Sequence, residues 1–294
     1  MSKPKVYFTK TITPEKLIEM FEILKKPLNG KVGVKIHSGE QGNQNYLRPE
    51  FLKPIVEHVK GTIVECNTAY PGARNYTDKH KKLMDDHEWT KYFKVDILDA
   101  EGPDITLKIP NGIKIKENYI GKNTKNYDSI LVVSHFKGHQ MGGFGGALKQ
   151  LSIGFGSSRG KTYQHTAGVT DDQTQFFKNI CPDKTFKETM ADAAWSVVDF
   201  FKGNMAFINV MKNISIDCDC DGNAKPPCLK DMGILSSTDP VAIDKACLDI
   251  IYNCEEPGKK ELIERIEKKL GPYIIEYSVQ LGTGSADYEL INID

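Results

Sequence analysis

Short apolar runs punctuate the chain: VYF at Val6, VGVKI ending at Ile36, TIVEC ending at Cys66, VDIL from Val95 and SILVVS ending at Ser134. Between them lie segments whose apolar residues recur at helical spacing. Brief continuous runs read as strands buried on both faces, and their alternation with helices predicts an α/β fold with a largely parallel sheet flanked by helices. Two Rossmann-like lobes with a cleft between them are expected, about 1–100 and 101–294 of a single family unit. The carboxyl-terminal segment is expected to pack back on the first lobe.

Local signals sharpen several of these elements. Thr13-Pro14-Glu15 offers a cap, a first-turn proline and an acid, a strong helix start. Pro49 opens a second helix in the same way, although Pro54 must kink it or move its start. Asn111-Gly112 lies between two alternating segments, Asp104 to Ile109 and Ile113 to Lys116, and predicts a hairpin. Ala191 to Phe201 reads as helix, Phe207 to Ile216 as strand, and Asp239-Pro240 caps a further helix.

Charge and composition remove whole classes of function. Lys+Arg and Asp+Glu are both 39, so no long-range field favours nucleic acid or an anionic membrane. The stretch MSKPKVYFTK lacks the apolar run of a signal peptide and nothing approaches a membrane span, so a cytoplasmic protein is expected. Seven cysteines without a regular framework suit reduced thiols or metal ligands better than disulfides.

The chemistry concentrates after SILVVS. His135 and His139 stand at the carboxyl end of a strand, where open α/β sheets bind ligands. Gly142, Gly143, Gly145 and Gly146 then let the backbone approach a ligand, and the following helix start offers free N–H groups to a phosphate or carboxylate. Lys149, in the first turns of that helix, could touch the same anion or act as an amine nucleophile if desolvated. The plain alternative is a tight turn with satisfied loop histidines.

From these residues onward the chain resembles the domain-of-unknown-function 362 family, the iron-sulfur-centre proteins, over nearly its whole length. The resemblance rests on VKIHSGEQGNQNYLRP, GHQMGGFGGALKQLSIG, DCDC followed by DMGILSSTDPVAIDKA, and LGTGSADYELI. Many relatives carry an inserted ferredoxin module after the glycine-rich helix. Here Thr166 to Ala191 holds only Cys181, so that module is absent.

More distantly, the spacing of His139, Lys149 and His165 resembles lactate racemase-type enzymes, which hold nickel in a pincer nucleotide tethered to a lysine. That resemblance implies a lysine-linked cofactor on Lys149, a metal on His165 and an acid/base role for His139. The partner histidine is replaced by Asn67-Thr68-Ala69-Tyr70, which departs from a two-base mechanism.

Asp217-Cys218-Asp219-Cys220-Asp221 follows a predicted strand; if the strand continues, both thiols share one side. With Cys228 they could ligate zinc or contribute to an iron-sulfur cluster, or be a buried thiol pair beside turn-forming aspartates. A calcium loop is excluded because Cys228 stands where a glutamate is required. Lys35 and His37 at one strand end, and Thr68, Tyr70 and Arg74 at the next, are candidate substrate-binding residues, Arg74 as a carboxylate clamp. His80 and His87 are expected on the surface. Asp239 and Asp244 cap or solvate the last helix start, while Asp231 and Ser236 stand where they could face the cleft.

These readings converge on an enzyme that depends on a metal or a phosphorylated cofactor and performs acid/base or redox chemistry on a small organic acid. The candidate cofactors are nickel or iron, an iron-sulfur cluster, or the pincer nucleotide. Two alternatives are a non-catalytic iron-sulfur or metal carrier using Cys218, Cys220 and Cys228, and a phosphate-ligand binding module. A redox partner and a homo-oligomer are both compatible with the sequence.

Overall fold

The computed structural model describes residues 3–294. The first strands and helices are β1 (Lys5–Thr9), α1 (Pro14–Glu22), β2 (Val32–Lys35), α2 (Pro49–His58), β3 (Thr62–Glu65), α3 (Thr77–Asp86), α4 (Trp89–Tyr92) and β4 (Val95–Ile97). A hairpin of β5 (Ile105–Lys108) and β6 (Glu117–Ile120) precedes β7 (Ser129–His135), and a smaller one, β8 (Lys137–His139) and β9 (Gly143–Gly145), follows it. Next come α5 (Ala147–Lys149), continued by a wide π turn over Gln150–Gly154, then α6 (Ser158–His165), α7 (Asp183–Phe201) and β10 (Met205–Met211). The chain ends with β11 (Gly233–Ser237), α8 (Pro240–Asn253), α9 (Lys259–Lys268), α10 (Tyr273–Leu281) and β12 (Glu289–Asn292).

Eight strands form one sheet in the order β12-β1-β11-β10-β7-β2-β3-β4. All neighbours are parallel except those of β11, which runs against both β1 and β10. The fold is therefore α/β with a mostly parallel sheet flanked by helices, as the alternation predicts. β2 pairs with β7, so the sheet passes without a break across Ala100, and β12 pairs with β1.

Period-two alternation divides the core. In β7, Ile130 and Val132 face one cluster with Phe207 of β10 and residues of α5, α7, α8 and α10. Leu131 and Val133 face the other, with Ile208 of β10 and residues of α1 and α2. Burial on both faces is why these strands read as continuous apolar runs.

Thr13 accepts from Lys16 N and Asp239 accepts from Val241 N and Ala242 N, so both expected caps form. Pro54 lies inside α2, whose first residue is Pro49. The Asn111-Gly112 hairpin exists, yet its second strand begins at Glu117 rather than Ile113. The reason is Asp192 of α7, whose carboxylate accepts the backbone N–H groups of Ile113, Lys114 and Ile115 and so removes them from the ladder. Similarly, β10 stops at Met211, and the stretch expected to run on to Ile216 is a loop.

Strands β2, β3 and β4 proceed outward on one side of the sheet and β7, β10 and β11 on the other. The order reverses between β2 and β7, and a crevice opens there beyond the carboxyl ends of the strands. No helix among the described residues is long and apolar enough to cross a membrane.

Candidate functional site

The crevice holds a cavity of about 370 Å³ lined by Lys35, His37, Thr68, Tyr70, Arg74, His139, Lys149, His165 and Cys220, all singled out in the sequence. It is also lined by residues that sequence reasoning missed: Glu65, Met141, Gln150, Ile153, Lys161, Phe176, Phe177 and Ile180. Lys161 carried a usable signal, since it lies one helical turn before His165 on the same face.

His139 ends β8, and its ring folds over the turn that follows. Its Nδ1 accepts from Gly142 N at 2.7 Å and Met141 N at 3.1 Å. Backbone N–H groups can only donate, so Nδ1 carries no proton and the neutral ring bears its hydrogen on Nε2. Nε2 lies 3.8 Å from Cys220 Sγ. His165 has the opposite arrangement. Its Nδ1 faces the Lys161 carbonyl at 2.6 Å, which can only accept, so Nδ1 is protonated and Nε2 keeps its lone pair. The ring is held by Phe186 and Phe176, at centroid separations of 4.5 Å and 5.0 Å.

Burial lowers both imidazoles, reinforced by the Lys149 cation, to about 4 for His139 and about 3 for His165. Both rings are therefore neutral at pH 7. One presents a proton and the other a lone pair in the walls of the same cavity.

Lys149 donates to Cys218 Sγ at 3.1 Å. Burial would lower this lysine, but the sulfurs of Cys218 and Cys220 raise it above its ordinary value. Lys149 is thus placed as a hydrogen-bond donor to Cys218. Burial would raise Cys218, yet the Cys220 thiol, Lys149 and His139 together bring it well below the usual thiol range. Cys220 moves the other way, raised first by its hydrogen bond to Cys218 and then by burial. The two sulfurs are therefore driven apart, Cys218 toward the thiolate and Cys220 toward the thiol.

Asp219, between them, turns away and anchors the loop. Its carboxylate bonds His135 Nδ1 at 2.8 Å and Lys137 Nζ at 2.6 Å. His135 uses its other nitrogen on the Lys212 carbonyl at 2.6 Å. Although expected to bind substrate, His135 is no part of the cavity wall and holds the cysteine loop against β7.

The glycines also serve a different purpose from the one expected. A side chain at Gly146 would place Cβ 2.3 Å from Asp244 Oδ1. That carboxylate accepts Ala147 N at 2.7 Å and Leu148 N at 2.9 Å. The helix start expected to receive an anion already holds the protein's own. A Cβ at Gly142 would lie 3.2 Å from His139 Nδ1, and Gly143 has a φ of +83°, so these two shape the turn around the imidazole. Gly145 packs beside the Lys149 stem.

Lys35 spends its hydrogens on Glu65, the Ile36 carbonyl and Gln150, and so supports the wall rather than reaching for a ligand. Arg74 donates to Glu40 at 3.1 Å and faces Tyr70 and His37, each at 3.4 Å. His37 Nδ1 accepts from Gly39 N at 3.1 Å. Thr68 donates to the Tyr70 carbonyl at 3.0 Å. His80, expected on the surface, is buried between Asn67 and Ser38, each about 3 Å away. His87 is partly buried and faces the Ser38 carbonyl. Asp231 pairs with Lys212 on the surface, and Ser236 is buried in β11.

The donor atoms of His139, Cys218 and Cys220 lie within 4.8 Å of one another. Cys228 is not in this group and donates to the Ile214 carbonyl at 3.4 Å. An iron-sulfur cluster asks for four ligands of cysteine type, which this set does not supply. Nor does the set suit a four-coordinate cation, because His139 points Nε2–H rather than a lone pair at the sulfurs. A pincer nucleotide fits poorly for related reasons: Asp244 closes the helix start to phosphate, and Lys149 is engaged with Cys218.

Comparison with known proteins gives a family and two structural likenesses. A family described as a domain of unknown function, DUF362, matches residues 32–249. No curated protein matches the chain. The lactate racemase apoprotein from Thermoanaerobacterium thermosaccharolyticum is similar at 14% identity with a TM-score of 0.46, over 83% of this chain and 56% of that one. A protein from Thermotoga maritima is similar at 14% identity with a TM-score of 0.42, over 91% of this chain and 59% of that one. The chain thus spans less than two thirds of the length of either structure.

Proposed function

The chain belongs to the DUF362 family, and we propose that it is an enzyme that moves a proton on a small organic acid held in the cavity. The observation that carries this reading is the opposed pair of neutral imidazoles, His165 with a free Nε2 lone pair and His139 with an Nε2–H. A base and a neutral hydrogen-bond donor in one site can remove a proton, hold the resulting anion and return the proton.

Arg74 and Lys161 are the cations suited to the substrate carboxylate. In the proposed reaction His165 Nε2 takes the proton next to that carboxylate, and the charge that develops on oxygen is met by the ammonium group of Lys161. Low dielectric strengthens such contacts. The neutral His139 donates a hydrogen bond from Nε2–H to the delocalised anion, and the proton on His165 exchanges with solvent before it returns to carbon. Phe176, Phe177, Ile180 and Met141 keep water from the intermediate. No step requires a metal or a nucleotide.

The test is exchange of the carbon-bound hydrogen of 2-hydroxy and 2-keto acids for deuterium in D2O, followed by NMR. Catalysed exchange of at least one acid is expected. It should fall by about 10²–10⁴-fold in His165→Gln and in His139→Gln. Exchange in neither class of acid, or exchange that both variants retain, overturns the proposal.

A further inference from the structure

Acid/base chemistry leaves the two cysteines unused, and their surroundings point to a second capacity. We propose that Cys218 and Cys220 bind one soft monovalent cation, Cu⁺, through their two sulfurs alone, with the Lys149 ammonium as its counter-charge.

The number of donors favours Cu⁺. Zinc and iron sites want four ligands, or three and a water, whereas Cu⁺ is satisfied by two thiolates. Here two sulfurs are available and the nearest third donor is turned the wrong way. The Nδ1 of His139 is occupied by two backbone N–H groups, so its Nε2 offers a hydrogen. The sulfurs lie within 4.8 Å of one another, close enough for one ion to reach both. Soft thiolates also select Cu⁺ over harder cations.

Charge supplies the second, independent observation. A bis-thiolate Cu⁺ unit carries one net negative charge, which is costly in a buried site unless it is paired. Lys149 Nζ is already 3.1 Å from Cys218 Sγ, and the His139 Nε2–H faces Cys220. Both are hydrogen-bond donors to sulfur and neither competes as a ligand. A divalent cation would instead meet an ammonium where it needs a donor. The binding step balances simply: both cysteines bind as thiolates, their thiol protons leave to solvent, two copper–sulfur bonds form, and no electron is transferred.

The experiment is an anaerobic titration of the reduced protein with Cu⁺ against a chromogenic Cu⁺ chelator, with Zn²⁺ titrated in parallel and X-ray absorption on the copper-loaded sample. One Cu⁺ per chain is expected, with sulfur as its nearest neighbours and no imidazole. Cys220→Ser and Cys218→Ser should each weaken binding more than 100-fold, Lys149→Met more than 10-fold, while Cys228→Ser retains it. Should Cys218→Ser not fold, Cys220→Ser and the absorption spectrum of the native protein carry the test. Preferential Zn²⁺ binding with nitrogen in the shell, loss of binding in Cys228→Ser, or Cu⁺ binding no tighter in the native protein than in Cys220→Ser overturns the proposal. The readouts involve no organic acid, so they stand or fall separately from the proton-transfer reading.

Discussion

Replacing Asp244 with alanine tests whether the glycine-rich turn is a closed structural joint or an anion site. The carboxylate is fully buried and accepts Ala147 N at 2.7 Å, Leu148 N at 2.9 Å and Asn209 Nδ2 at 2.7 Å. Its loss strands three buried donors at about 1–3 kcal/mol each. Against this stands relief of the buried charge. Burial raises the Asp244 carboxyl from 3.8 to about 6, which corresponds to roughly 3 kcal/mol at pH 7. The net expectation is a loss of about 3 kcal/mol, the middle of a range of roughly 0–6 kcal/mol, in urea unfolding at pH 7.5.

The pH dependence carries its own sign. An acid whose folded value lies above its unfolded one costs stability as pH rises through that interval, because the native state holds the proton longer. The native protein should therefore lose this contribution between about pH 4 and 6, and the alanine variant should not. The penalty of Asp244→Ala accordingly grows as pH falls from 7.5 to 5. Net stabilisation by Asp244→Ala, a penalty that does not grow as pH falls, or stabilisation of the native protein by millimolar phosphate that vanishes in Gly146→Ala would refute the closed joint.

Three further outcomes follow from the same geometry. Glu65→Gln leaves the Lys35 ammonium buried without its partner and should cost about 3–5 kcal/mol in chemical denaturation. Burial alone would raise the Glu65 carboxyl, but Lys35 and its neighbours hold it at about 2, while burial pulls Lys35 below its ordinary value. Lys35 stays charged in acid, so Glu65 governs there: its contribution is present above about pH 4.5 and is lost as pH falls toward 2, which acid-unfolding curves of the native protein and Glu65→Gln would compare. Gly142→Ala brings a methyl group to 3.2 Å from His139 Nδ1 and should lower proton exchange about 10-fold or more while shifting unfolding by less than 2 kcal/mol. Asp219→Asn weakens the anchor to Lys137 and His135, so the Cys218 thiolate should become more reactive toward a small alkylating agent, read as a faster rate of thiol modification.

The fold was legible where local and tertiary forces agree. Runs such as SILVVS are apolar throughout because the strand is buried on both faces, and caps such as Thr13 and Asp239 act within a few residues. Strand length was less legible, because Asp192, far along the chain, captures the backbone of Ile113 to Ile115. At the site, the sequence supplied the residue types and one correct intuition, that strand ends converge. It could not tell that the acceptor waiting at the Gly146 helix start is Asp244, nearly a hundred residues later.

The same limit applies to the direction of each imidazole. His139 and His165 look alike as letters, yet one ring nitrogen meets two amide hydrogens and the other meets a carbonyl. Only the folded backbone decides which atom keeps the proton. Likewise His80, on a lysine-rich helix, is buried because Asn67 and Ser38 close over it.

The opposed pair of neutral imidazoles can be observed directly. Long-range ¹⁵N–¹H NMR of the histidine rings at pH 7 distinguishes a protonated from an unprotonated nitrogen, with His139→Gln and His165→Gln supplying the assignments. The account predicts His139 protonated at Nε2 alone and His165 at Nδ1 alone, with neither ring gaining a second proton above pH 5. Two rings in the same tautomer, or either one doubly protonated at pH 7, would contradict it.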